Sequence, residues 1–166
     1  MLVNAEDHAH LQYHLGPDTE HTVYKGKVVG LLLTIHLLLS LHTILFSQIT
    51  LGTDNQASIR ALTNQRPHPA HYLTDHVHNT IEKLQINQAC LQGLPLPRSA
   101  RHRNTTVPCK LTKISVSWTP GHIGFKPNER ADVLAKEAAV GFLSPPPNLP
   151  PPFLSPNPLP SSIPAY

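Results

Sequence analysis

The chain has 166 residues, 13 Lys and Arg against 10 Asp and Glu, and a formal charge of +3 with histidine neutral. That length supplies one domain with a modest core, and so mild a basic excess permits nucleic-acid binding without arguing for it. Two cysteines, Cys90 and Cys109, without C-x-x-C spacing exclude a disulfide framework and read as reduced intracellular thiols, while twelve histidines would make the chain far more basic on acidification.

The first residues, Met1-Leu-Val-Asn-Ala-Glu-Asp-His8, have neither a basic n-region nor an apolar h-region, so no signal peptide and an intracellular location, cytoplasmic or nuclear, are expected. Leu11, Tyr13 and Leu15 alternate with Gln12 and His14, which predicts a half-buried strand ahead of a Gly16-Pro17-Asp18 turn. His8 and His10 share one face of such a strand, but without a third ligand nearby they read as surface residues rather than a metal site.

Residues 22–46 are the most apolar part of the chain. A membrane span is the rival reading for so long a run. A polar stripe of His36, Ser40 and Thr43 at i, i+4, i+7, with His42 off it and only Lys25 and Lys27 as flanking cations, favours a buried helix and no membrane. Gln48–Thr53 then reads as a strand that hands over at Asp54 to a helix over 57–62. A carboxylate at the C-terminal edge of a parallel strand stands where open α/β sheets place their chemistry. The plainer alternative is that Asp54 caps the helix.

A turn over 64–69 separates this helix from a second, over 71–85, with Leu73, Val77, Ile81 and Leu84 on one face and His71, His76 and His78 mostly on the other. Residues 86–110 lack periodicity and read as a long loop. Arg98, Arg101, Arg103 and Lys110 make it the most basic segment, which is either a grip on a nucleic-acid backbone or a solvated surface. Ile114, Val116 and Trp118 alternate along a strand over 113–118 and are expected to face inward. Ten of the 18 prolines lie after Ser144, so residues 144–166 are expected to be an extended, disordered tail behind a domain of residues 1–143. Pro147-Asn-Leu-Pro150 in that tail is a weak P-x-x-P signal.

The most specific stretch is Trp118-Thr-Pro-Gly121-His122-Ile-Gly124-Phe-Lys-Pro127-Asn128-Glu129-Arg-Ala131-Asp132-Val-Leu134-Ala135. It reads as strand end, glycine-bearing loop and helix. Asn128 is expected to cap the helix, Glu129 to suit its positive end, and Ala131, Leu134, Ala135 and Ala138 to form its packing face. A loop histidine and a carboxylate in the second helical turn can then meet at one end of a sheet.

This stretch resembles the last strand, loop and helix of the type 1 ribonuclease H family, in its retroelement-derived variety. The family pattern W-x-x-G-H-x-G-x-x-x-N-E-x-A-D-x-x-A is matched at Trp118, Gly121, His122, Gly124, Asn128, Glu129, Ala131, Asp132 and Ala135. Pro127 ahead of Asn-Glu departs from the usual G-N-E. The resemblance runs over about residues 11–140 and is strongest at 118–139. It implies an α/β fold, a ribonuclease H-like mixed sheet flanked by helices. It also implies Mg²⁺-dependent endonucleolytic hydrolysis of RNA in RNA–DNA hybrids, with two ions held by four carboxylates.

Carried over position by position, Asp54 matches the third acid, Asp132 the fourth and His122 the loop histidine, with Asn128 and Glu129 as motif support. The second acid belongs five residues after a threonine at the start of the first helix, and counting from Thr22 gives Lys27. The first acid belongs on an upstream strand in a T-D-G-S-like segment, and no such segment is present. The expectation is therefore an N-terminally truncated copy that binds Mg²⁺ weakly or not at all. Reversing one charge about 4 Å from a cation, at an effective dielectric near 20, shifts each unit pair by roughly 4 kcal/mol. The alternative is a non-catalytic module that binds hybrid or other nucleic acid on the same fold. Without its neighbour, the strand ending at Asp54 is expected to keep an open edge.

Overall fold

A computed structural model of the chain describes residues 9–45, 47–64, 70–94, 112–121, 124–141, 154 and 159. They form a mixed α/β unit in the order α1 (Val23–Ser40), β1 (Gln48–Thr53), α2 (Gln56–Thr63), α3 (His71–Leu91), β2 (Lys113–Trp118) and α4 (Lys126–Ala139).

α1 begins where Thr22 accepts a hydrogen bond from the Lys25 N–H at 3.3 Å, which satisfies one donor of the first turn. The helix then buries Val28, Val29, Leu31, Leu32, Leu33, Ile35, Leu37 and Leu38. Adjacent positions such as 31–33 point in different directions around the axis, so α1 is covered on nearly every side, as a central helix must be. Leu73, Val77 and Leu84 of α3 and Leu51 of β1 pack around it. α1 stops at Ser40, and His42 takes a left-handed φ of 48°. Thr43 therefore lies beyond the helix, and the polar stripe expected to run through it ends at Ser40. By length and composition α1 is also apolar enough to cross a membrane, the one such helix among the described residues.

β1 and β2 pair in parallel, with Gln48 opposite Lys113 and Thr53 opposite Trp118. Both strands have the bounds that alternation predicts. Leu51 and Thr53 are buried on one face, with Ile49, Ile114 and Val116 against the same core. The other face is polar, and Thr50 and Ser115 share a 3.2 Å hydroxyl hydrogen bond there. Trp118 departs from expectation. It is 51% exposed, because it lies at the mouth of the sheet where the core ends. Among the described residues the sheet has these two strands only. The ladder leaves the far edge of β1 unpaired among those residues.

α3 runs six residues past its predicted end. Gln88, almost fully buried, explains the extension. Its amide donates to the Thr43 carbonyl at 3.0 Å and accepts from the Leu45 N–H at 2.7 Å. A glutamine satisfied at both ends can occupy a core position where the hydrophobic pattern lapses.

Residues 9–15 are extended but join no sheet, contrary to the strand expected there. Leu11, Tyr13 and Leu15 pack on the central cluster. On the other side Gln12 donates to the Leu134 carbonyl and to Glu137, both at 3.0 Å, and the His14 ring bonds the Ala138 carbonyl at 2.9 Å. This N-terminal arm thus lies between the core and α4 and ties α4 down by its last-turn carbonyls. Most of the proline-rich tail lies outside the described residues. Leu154 and Leu159 are described and buried in the central cluster, and Tyr13 donates its hydroxyl to the Leu154 carbonyl.

Candidate functional site

The C-terminal ends of β1 and β2 and the starts of α1, α2 and α4 meet at one corner of the molecule. Gly52 permits the meeting. A methyl on it would lie 2.8 Å from Thr119 Cγ2, so only glycine lets the loop after β2 cross so close to β1. A methyl on Gly121 in that loop would lie 3.6 Å from Asp54 Oδ2, which places the glycine loop directly over the Asp54 carboxylate.

Asp54 does not cap α2. Asn55 does, accepting from the Ser58 N–H at 2.9 Å. The Asp54 carboxylate is left to meet a cation. Lys27 Nζ lies 2.8 Å from Asp54 Oδ1 and 3.0 Å from Oδ2, and 3.4 Å from Asp132 Oδ1. The ammonium spans the Asp54 carboxylate and leans on Asp132. Three residues from α1, the end of β1 and α4 thus converge, and all three keep some contact with solvent. Burial alone would lower the Lys27 pKa. The hydrogen bond and charge of Asp54, then those of Asp132, outweigh burial and hold the ammonium above its ordinary value.

This arrangement does not fit the metal pair that the resemblance implies. A dication at the Asp54–Asp132 pair would have to share the space with Lys27 Nζ, which already accepts the negative charge of both carboxylates. Among the described residues no group of three His, Cys, Asp or Glu side chains is placed to hold a metal ion. Lys27 is the position where the resemblance expects an acid. Its inward orientation is Coulombic in origin, since two carboxylates attract whichever cation can reach them.

Glu129 stands in the first turn of α4 as expected, whereas Asn128 does not cap the helix. α4 starts at Lys126 with Phe125 at its N-cap, so Asn128 lies inside the first turn and makes no cap. Proline is favoured in the first turn, where its missing N–H costs nothing, and Pro127 moves the start back. The Asn128 amide nitrogen is buried, 3.9 Å from where a methyl on Gly121 would lie, and has no hydrogen-bond partner among the described residues. Glu129 supplies the cap-like bond, accepting from the Gly124 N–H at 3.1 Å. Of the predicted packing face only Leu134 and Ala138 are buried, while Ala131 and Ala135 are exposed. His122 lies outside the described residues, as do Arg98, Arg101 and Arg103.

Among the described residues a cleft of about 360 Å³ lies between α2 and α3 and another of about 380 Å³ lies beside Thr119, Pro120 and Phe125, and neither of these is lined by Lys27, Asp54 or Asp132. Sequence reasoning placed Asp54, Asp132 and position 27 at one site. It did not find the N-terminal arm's hold on α4, for which the polar residues Gln12 and His14 within an apolar alternation were the only signal. Compared with family models, curated proteins and solved structures, the chain matches none.

Proposed function

We propose that the chain is a ribonuclease H-type domain of retroelement origin whose hydrolytic centre has been closed by an internal cation. The family activity is Mg²⁺-dependent endonucleolytic cleavage of RNA in RNA–DNA hybrids, and this copy is impaired in it. One observation carries the reading. Asp54, Asp132 and the side chain at position 27, far apart in the chain, converge at the end of a parallel strand pair. Those are the three positions the resemblance assigns to acids within the described residues. On this reading β1 and β2 are two neighbouring strands of a ribonuclease H-like mixed sheet, and α1 and α4 are its first and last helices. The protein works inside the cell, cytoplasmic or nuclear, and α1 serves as its core helix rather than a membrane anchor.

A second reading has its own support. Trp118 and Phe125 are exposed near the same corner, and Lys126 and Arg130 stand exposed at the start of α4. Aromatic faces beside cations are what a sequence-tolerant nucleic-acid surface uses. On that reading the chain binds RNA–DNA hybrid or other nucleic acid without cutting it.

A hybrid-cleavage assay with Mg²⁺ or Mn²⁺ tests the first reading. The expected result is no turnover above a protein-free control. Cleavage that disappears in Asp54→Asn would refute it. In the same samples, hybrid binding that weakens steeply with added salt supports the second reading, and absence of binding excludes it.

A further inference from the structure

A second pair of basic groups lies at the start of α1, separate from the Lys27 cluster. Lys25 is fully buried, and His21 is nearly so. Lys25 Nζ stands 2.9 Å from His21 Nδ1. An ammonium can only donate, so with Lys25 charged the bond requires neutral His21 with its proton on Nε2. The Nε2 atom is itself buried without a partner among the described residues. The turn leading into His21 is tight. A methyl on Gly16, whose φ is +113°, would stand 3.2 Å from the imidazole.

We infer that His21 and Lys25 form an acid-operated latch that holds the N-terminal arm, and through the arm α4, onto α1. Protonation of His21 at Nδ1 turns the 2.9 Å contact into two donors facing each other. It also places two cations at the N-terminal end of a helix, where the macrodipole already disfavours positive charge. The ring leaves its site, the turn at residues 16–21 opens, and residues 9–15 lose their fixed end. Gln12 and His14, which hold the Leu134 and Ala138 carbonyls, then release α4.

The charged groups acting on His21 among the described residues are Lys25 and Glu20, and they oppose each other. Burial lowers the His21 pKa first, Lys25 lowers it further, and Glu20 and the nearby Leu15 carbonyl raise it without reversing the direction. Lys25 is lowered by its own burial, with Glu20 again opposing. On the seam with α4, His14 keeps its bond to a carbonyl when protonated, and Glu137 accepts from Gln12. A group whose folded pKa is lowered contributes stability that is present above its unfolded pKa and lost as pH falls through and below that value, near 6.5 for histidine. The latch therefore opens on the acid side. This inference does not rest on the proposed function.

The test is amide hydrogen exchange of α4 in the full chain, corrected for intrinsic rates and referenced to α3, as pH falls from about 7.5 to about 5.5. The wild type is expected to lose about tenfold in α4 protection relative to α3, because pH 5.5 lies about one unit below the ordinary histidine value near 6.5 at which the opened ring takes up its proton. His21→Gln removes the titrating group and is expected to keep α4 protection nearly constant over the same range, while Lys25→Met leaves the buried imidazole and is expected to show a smaller acid loss than the wild type. Either variant serves if the other does not fold. Undiminished α4 protection in the wild type overturns the inference, and so does an equal acid loss in the variants.

Discussion

Replacing Lys27 by methionine is expected to destabilise the fold by about 1–3 kcal/mol. An exposed ion pair is worth about 0–1 kcal/mol, and removing one partner of a buried pair costs about 3–5 kcal/mol. Lys27 lies between these limits, with 31% of its side chain exposed and two carboxylates, Asp54 and Asp132, left facing each other when it goes. Methionine keeps the length of the stem, so the loss measures charge and not packing. Denaturant titration at neutral pH checks the magnitude. The same substitution is expected to change the alkaline limb. The Lys27 pKa is raised by folding, so its contribution is complete below the unfolded lysine value, about 10.4, and is lost as pH rises through the folded value. Wild type should therefore lose stability above about pH 10.5 along a limb that Lys27→Met lacks. Equal alkaline limbs in the two proteins would show that Lys27 does not hold the two carboxylates in solution.

Truncating Leu32 to alanine is the second large effect. Leu32 is 0% exposed in the middle of α1 and belongs to the central cluster shared by α1, α3 and β1. Leucine-to-alanine changes at such sites cost about 2–5 kcal/mol from lost transfer energy and the cavity left behind. A domain of this size has a total stability of roughly 5–15 kcal/mol, so thermal unfolding should move down by several degrees or the protein should fail to accumulate. The prediction also separates the two readings of the apolar run. A helix lying in lipid would lose little from Leu32→Ala, because alanine is also apolar and lipid tails fill the space. A soluble, cooperative unfolding transition that shifts with this substitution marks α1 as a core helix. A chain that stays with membranes and is indifferent to the change marks it as an anchor.

The strands were legible in the sequence because each alternates cleanly between turn signals, and both ends of β1 and β2 agree with the pattern. α1 was legible as the most apolar run, though it stops at Ser40 short of residue 46, and α2 was legible as the helix after β1, though its cap is Asn55 and not Asp54. Three features were not legible, each for a physical reason. Gln88 ended the apolar periodicity of α3, yet two backbone bonds made it a core residue. Asn128 has the chemistry of a cap but lies two residues after Lys126, and local backbone geometry at Phe125 and Pro127 decided the start of α4. The arm alternates like a strand, but its polar positions found helix carbonyls instead of a neighbouring strand.

The site itself was half legible. Asp54 and Asp132 were identified from spacing and resemblance, and position 27 was identified as the place of a missing acid. Beside a metal Lys27 would be a repelling charge, but without one it is itself the cation between the two carboxylates. Turning outward would leave two carboxylates near each other unneutralised, so Lys27 turns inward and bonds both. Lys27, which the resemblance reads as damage to a catalytic centre, belongs in the folded molecule to an ion cluster that joins α1, the end of β1 and α4.

The account's central claim is that Lys27 is the resident cation of the Asp54–Asp132 pair. Mn²⁺ titration followed by electron paramagnetic resonance, on the wild type and on Lys27→Glu side by side, tests it most directly. The prediction is no site-specific Mn²⁺ binding by the wild type and clear binding by Lys27→Glu, where three carboxylates converge and no ammonium competes. Mn²⁺ bound by the wild type and lost in Asp54→Asn would contradict the claim.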